Sequence, residues 1–163
     1  MLRGLWTTLR SMFTKPITIQ YPEQKRPVRT RFRGRHVLKR YDNGLEKCIG
    51  CSLCAAACPA DAIFVEAGEN TDAKRFSPGE RYASTYEINM LRCIYCGFCE
   101  DACPTEAITM GDNYELSFTD RRQAIYGKDM LLVPARPGQE LTPQVTKPGE
   151  FTRSVPEMKN PAD

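Results

Sequence analysis

Cys48-Ile49-Gly50-Cys51-Ser52-Leu53-Cys54-Ala55-Ala56-Ala57-Cys58-Pro59 and Cys93-Ile94-Tyr95-Cys96-Gly97-Phe98-Cys99-Glu100-Asp101-Ala102-Cys103-Pro104 are two copies of one pattern, C-x2-C-x2-C-x3-C-P. Together they hold all eight cysteines of the 163-residue chain. In runs of this spacing three cysteines ligate one [4Fe–4S] cluster and the fourth reaches across to another. Each iron of a cubane takes one thiolate from outside. Thiols three residues apart on a looping backbone wrap three corners, and the fourth corner faces away. The proline after each fourth cysteine fixes φ and has no N–H, which turns the chain away. The pattern thus assigns Cys48, Cys51, Cys54 and Cys103 to a first cluster, and Cys93, Cys96, Cys99 and Cys58 to a second.

The residues between the thiols fit that reading. Ile49, Leu53, Ile94 and Phe98 are apolar and suited to shielding a cluster from water, while Gly50 and Gly97 allow backbone N–H groups to approach sulfur. Glu100-Asp101 stand where the first run has Ala55-Ala56. Nearby carboxylates disfavour adding an electron, so the second-run cluster is expected to have the lower potential. Disulfides fit poorly, because the thiols are too crowded for a regular framework and the sequence shows no signal peptide. Zinc uses cysteine pairs and has no need of a third cysteine at the same interval or of the trailing Cys-Pro.

The runs belong to a longer repeat. Cys48–Val65 and Cys93–Met110 align at a period of 45 with nine of eighteen positions identical. Such self-similarity predicts two related halves around one core. Short helices fit 52–57 and 97–102. Extended stretches fit Ala62–Val65, Ala107–Met110 and Tyr86–Ile88, and a polar loop insertion fits 67–83. The fold class is α+β: a duplicated, ferredoxin-like dicluster domain over 36–112, with repeats at 48–65 and 93–110. It is too small for a large apolar core, so bound metal would complete it.

Around it lie two extensions. Residues 1–35 form an N-terminal arm. Leu2, Leu5, Trp6, Leu9, Met12 and Phe13 recur at helical spacing over residues 1–14, with Arg3 and Arg10 elsewhere around the helix. An amphipathic helix of this kind suits a membrane interface or a hydrophobic partner surface. Residues 15–41 are extended and basic, and His36, the only histidine, reads as structural. Residues 113–163 form the C-terminal extension. Ser117-Phe118-Thr119-Asp120 signals a helix over about 120–132 with Ala124, Ile125, Leu131 and Leu132 inward. A tail with six prolines over 134–163 follows.

The net charge of +3 conceals a division. Residues 1–47 carry twelve Lys/Arg against three acids, whereas 48–110 carry four against nine. A basic arm without aromatic interleaving or a nucleic-acid module points to an acidic partner or lipid headgroups rather than nucleic acid. No apolar run approaches the roughly 20 residues of a membrane-spanning helix, so contact with a bilayer is expected to be peripheral.

Tyr86-Glu87-Ile88-Asn89-Met90-Leu91-Arg92-Cys93-Ile94-Tyr95-Cys96-Gly97-Phe98-Cys99-Glu100 closely resembles the dicluster ferredoxin-like subunit of respiratory complex I, the proton-pumping NADH:quinone oxidoreductase. Arg31-Phe32-Arg33-Gly34, Arg40-Tyr41 and the region around Thr119–Leu132 resemble the same family, so the likeness covers roughly 15–132. The resemblance implies a redox subunit without a catalytic site of its own, holding two [4Fe–4S] clusters. Electrons would cross it toward a terminal cluster on a neighbour and then quinone, which it meets only indirectly. It implies partners in the hydrophilic arm and at the junction with the membrane arm. The expected location is the cytoplasmic face of a bacterial inner membrane, or the matrix face of the mitochondrial one. The same residues would suit the equivalent subunit of a membrane hydrogenase or ferredoxin-linked complex, and the cysteine runs alone would suit a soluble dicluster ferredoxin.

Overall fold

A computed structural model describes residues 2–71 and 74–134. The chain divides into two units at Thr30/Arg31, slightly before the arm boundary expected at residue 35.

In the first unit, helix α1 spans Leu2–Met12, and none of its residues is buried. Its polar side chains fold back on the helix: Thr7 Oγ1 donates to the Arg3 carbonyl, and Ser11 Oγ to that of Thr8. Leu2, Leu5, Trp6, Leu9, Met12 and Phe13 all remain exposed. An eleven-residue helix is marginal alone in water.

In the second unit, β1 (His36–Leu38) leads to α2 (Leu53–Ala56), then β2 (Ile63–Glu69) and β3 (Arg81–Asn89). After α3 (Phe98–Asp101) and β4 (Ile108–Met110) come a 3-10 turn at Arg121–Ala124, β5 (Ile125–Gly127) and α4 (Lys128–Leu131). Two antiparallel sheets result, one of β1 and β4, the other ordered β2-β3-β5. This is a small mixed helix and sheet architecture. The apolar core gathers Leu38, Ile63, Tyr86, Ile88, Met90, Ile108, Ala124, Tyr126 and Leu131, and it includes two of the cysteines, Cys54 and Cys99.

Two sequence expectations change. The stretch expected to be a loop insertion, 67–83, is strand at both ends: β2 continues to Glu69 past a bulge at Glu66/Ala67, and β3 starts at Arg81, leaving 70–80 as the link. The link between them is organised by Asn70, whose amide donates to Ser77 Oγ at 2.9 Å and to the Gly79 carbonyl at 2.7 Å. Its side-chain oxygen accepts from the Phe76 N–H at 2.9 Å. Polarity reads as loop, and within the link the Asn70 side chain supplies part of the hydrogen bonding, beside the Asn70 N–H to Glu80 and the Thr71–Lys74 backbone bonds.

The helix expected over 120–132 is instead a 3-10 turn, a strand and one helical turn. Asp120 does cap, accepting from the Arg122 N–H at 3.0 Å. However, Ile125-Tyr126-Gly127 pair with Asn89-Ile88-Glu87 of β3, so ladder bonds replace helical ones. Ala124 and Leu131 are buried as expected, whereas Ile125 is exposed. Val133 N–H donates to the Leu38 carbonyl at 2.8 Å, so residues 113–134 belong to the same unit as the cysteine runs. The proline-rich tail beyond 134 lies outside the described residues.

Candidate metal centres

The cysteine runs take the same backbone path. Left-handed residues occur in pairs 45 positions apart: Gly50 with Tyr95, Ser52 with Gly97, and Asp61 with Glu106. Helices α2 and α3 share that offset, as do the first residues of β2 and β4. At Gly50, with φ of +66°, a Cβ would lie 2.8 Å from the Tyr82 carbonyl oxygen. At Gly97, with φ of +83°, it would lie 2.9 Å from Arg33 Nε. The equivalent positions Tyr95 and Ser52 take the same left-handed turn with a side chain, so conformation alone does not demand glycine. At Gly50 the rigid Tyr82 backbone leaves no room for a Cβ, whereas at Gly97 the neighbour is the Arg33 side chain. After each fourth cysteine the chain folds back so that an N–H meets the sulfur, Ala62 to Cys58 at 3.4 Å and Ala107 to Cys103 at 3.2 Å.

This path places the thiols around two cavities. Cys48, Cys51, Cys54 and Cys103 line one, with Leu38, Val65, Tyr86 and Ile108 among its walls. Cys58, Cys93, Cys96 and Cys99 line the other, together with His36 and Ile63. Each quartet thus draws three thiols from one run and one from the other. All eight cysteines are free. Ile49 and Ile94 stand at the cavity walls. Leu53 and Phe98, expected to shield the sites, line neither cavity and are 48% and 52% exposed. They sit on the first residue of α2 and α3, whose next residue, Cys54 or Cys99, takes the inward direction.

Electrostatics favours a cationic occupant. Burial pushes the Cys48 thiol up to about 11 and the Cys99 thiol up to about 12, and raises Cys54 and Cys93 as well. Cys103 differs: burial acts upward, but hydrogen bonds from the Ile108 and Ala107 backbone and the Thr105 hydroxyl bring it below the ordinary thiol value. Four thiolates in an apolar cavity are stable only against positive charge inside it. Among the described residues, no three His, Cys, Asp or Glu side chains converge as a single ion requires. Thiols spread around a cavity match a multi-atom cluster with several corners better than one tetrahedral ion. The donor set, four thiols at each site, fits [4Fe–4S] units.

Two further residues reach these thiols. Tyr86, buried on β3, places its hydroxyl 3.3 Å from Cys54 Sγ. His36, 1% exposed, places Nε2 3.8 Å from Cys93 Sγ. Sequence reading gave Tyr86 only a strand and His36 only a structural role. The available signal was alternation: in His36-Val37-Leu38 the first and third residues are buried.

The carboxylates of Glu100 and Asp101 line a cleft with Arg31 and Arg33, and another with Lys39 and Cys103. Glu100 Oε2 also accepts from the Met110 N–H at 3.3 Å. Their charge therefore lies beside Cys103, a wall of the first cavity, as well as beside Gly97 at the second, and cations face it. The sequence had linked these carboxylates to the second site alone.

Residues 47–107 match the family model of the 4Fe–4S dicluster domain. The chain thus carries an iron–sulfur electron-transfer domain over that region. Among solved structures, it is similar to a chain of the membrane-bound sulfane sulfur reductase (MBS), an archaeal respiratory membrane complex. The identity is 32% over 73% of this chain and 56% of that one, with a TM-score of 0.46. This chain therefore spans little more than half of that relative. Among the described residues, no helix is long and apolar enough to cross a membrane.

Proposed function

We propose that this chain is the electron-transfer subunit of a proton-pumping NADH:quinone oxidoreductase. In this reading Cys48, Cys51, Cys54 and Cys103 hold one [4Fe–4S] cluster, and Cys93, Cys96, Cys99 and Cys58 hold the other. Bound there, each cluster supplies a one-electron carrier. The observation that carries the reading is the pair of four-thiol cavities walled by a single core to which both Cys54 and Cys99 belong. One packed core keeps the two sites close enough for exchange between them.

The flanking residues support the narrower assignment to the complex I type. Arg33 packs against Gly97 at the second cavity, and Gly34 is pinned against the Gly111 and Asn113 carbonyls. Arg40 donates to the carbonyls of Gly44 and Val133. The Arg31–Gly34 and Arg40-Tyr41 segments, which carry the family resemblance, are thus built into the surroundings of the sites. The bare helix α1, with Arg3 and Arg10 and no acidic residue, supports peripheral contact with an anionic membrane surface. In this reading the subunit sits at the junction of the hydrophilic and membrane arms, on the cytoplasmic face of a bacterial inner membrane, with quinone reached through a neighbour.

The test is native purification with subunit identification and metal analysis. The expected result is about eight iron and about eight acid-labile sulfide per chain, two clusters' worth, in a complex with NADH-oxidising and quinone-reducing subunits. Zinc, or no sulfide in anaerobic material, overturns the cluster reading. Co-purification with hydrogenase or sulfur-reductase subunits, or a well-behaved free monomer with intact clusters, overturns only the complex I assignment.

A further inference from the structure

The two sheets place one polar ring at the same register position, and each ring reaches a thiol of a different cavity. In the β2–β3 ladder Tyr86 stands opposite Val65, and in the β1–β4 ladder His36 stands opposite Met110. Val65 and Met110 are the same position of the two sequence repeats. Tyr86 and His36 are therefore counterparts through the ladders, although one is a phenol and the other an imidazole. Both are 1% exposed. Tyr86 points its hydroxyl at Cys54 of the first cavity and His36 its Nε2 at Cys93 of the second.

We infer that Tyr86 and His36 are the hydrogen-bond donors that tune the two cluster potentials separately, Tyr86 through Cys54 and His36 through Cys93. The inference rests on the iron–sulfur reading above. A free thiol can donate or accept, but a thiolate bound to iron can only accept. With iron bound, Tyr86 must then donate its O–H and His36 the proton on Nε2. That tautomer leaves a lone pair, not an N–H, on Nδ1, the ring atom with no hydrogen-bond partner among the described residues. A proton donated to a ligand sulfur draws negative charge away from the cluster, favours its reduced form and raises its potential. The shorter contact, 3.3 Å against 3.8 Å, belongs to the first cavity, so the donors lift the first potential further than the second.

Both are positioning residues that act through a ligand. The experiment is redox titration of the purified holo-protein and of its Tyr86→Phe and His36→Phe variants, followed by electron paramagnetic resonance. Each variant is expected to lower the midpoint of one signal and leave the other in place, and the two variants shift different signals. His36→Gln, which keeps an N–H donor, should recover part of its shift. Histidine labelled with ¹⁵N supplies a second readout: hyperfine coupling to one reduced cluster, lost in His36→Phe. Signals that move together, or stay put with iron and sulfide intact, overturn the inference. Should the phenylalanine variants lose iron, the wild-type coupling decides, and its absence overturns the role of His36. A wild-type protein without iron and sulfide refutes the underlying function instead.

Discussion

Lys128 Nζ lies 2.7 Å from Glu46 Oε2, with the two side chains only 17% and 7% exposed. The same ammonium donates to the Ala83 carbonyl at 2.7 Å and lies 5.2 Å from the centre of the Tyr82 ring. Among the described residues Glu46 Oε2 makes no hydrogen bond of good geometry, so the contact acts as a charge pair. It joins the segment leading into the first cysteine run to the last helical turn. Removing one member of a buried pair strands the other charge at a cost of about 3–5 kcal/mol. Lys128→Met should therefore destabilise the holo-protein by that order in chemical denaturation, and adding Glu46→Gln should restore part of it. Equal stability of wild type and Lys128→Met would show that the pair contributes nothing.

Cys58→Ser removes a thiol from the far cavity. Although Cys58 lies in the first run, its neighbours are Cys93, Cys96 and Cys99. The variant should lose about half of its iron and sulfide, with loss of the second-run cluster signal. Selective loss of the signal that depends on Cys48, Cys51 and Cys54 would contradict the crossed arrangement.

Stripping iron with a chelator under reducing conditions should unfold the second unit. Cys54 and Cys99 are core residues, and metal-binding energy in a domain this small is folding energy. Near-ultraviolet circular dichroism and amide exchange are the measurements. A fully protected apo-protein would show that the remaining apolar core suffices.

Deleting residues 2–14 should leave cluster content unchanged and weaken assembly with the membrane partner, because α1 buries none of its residues. Native gels of membranes from cells expressing the truncated chain report this directly. Normal complex formation would leave α1 without a role in docking.

Replacing Glu100 and Asp101 by alanine should raise both midpoints rather than one, since the carboxylates border Cys103 as well as Gly97. The shift should be small, because Arg33 and Lys39 face the same charges. A rise confined to one signal would restore the narrower assignment made from sequence.

The short helices and the starts of β2 and β4 were legible because they follow from local spacing and from turn chemistry. The region around Ile125 was not. Its apolar pattern admits helix or strand, and only pairing with Ile88 and its neighbours, far away in sequence, decides between them. His36 was hidden for a different reason. Alignment at a period of 45 pairs Tyr86 with Tyr41, whereas the ladders pair it with His36, because β1 ends ten residues before Cys48 and β3 only four before Cys93. The repeat slips out of phase just upstream of each cysteine run, where the ring donors sit.

The interleaving of the two runs also bears on how the protein is made. On a ribosome Cys48, Cys51 and Cys54 emerge early, yet the wall of their cavity stays open until Cys103 has been synthesised. Cys58 likewise waits for Cys93, Cys96 and Cys99. Neither nest can close around cargo on a partial chain, so metal delivery belongs late in biogenesis, when more than 100 residues already exist.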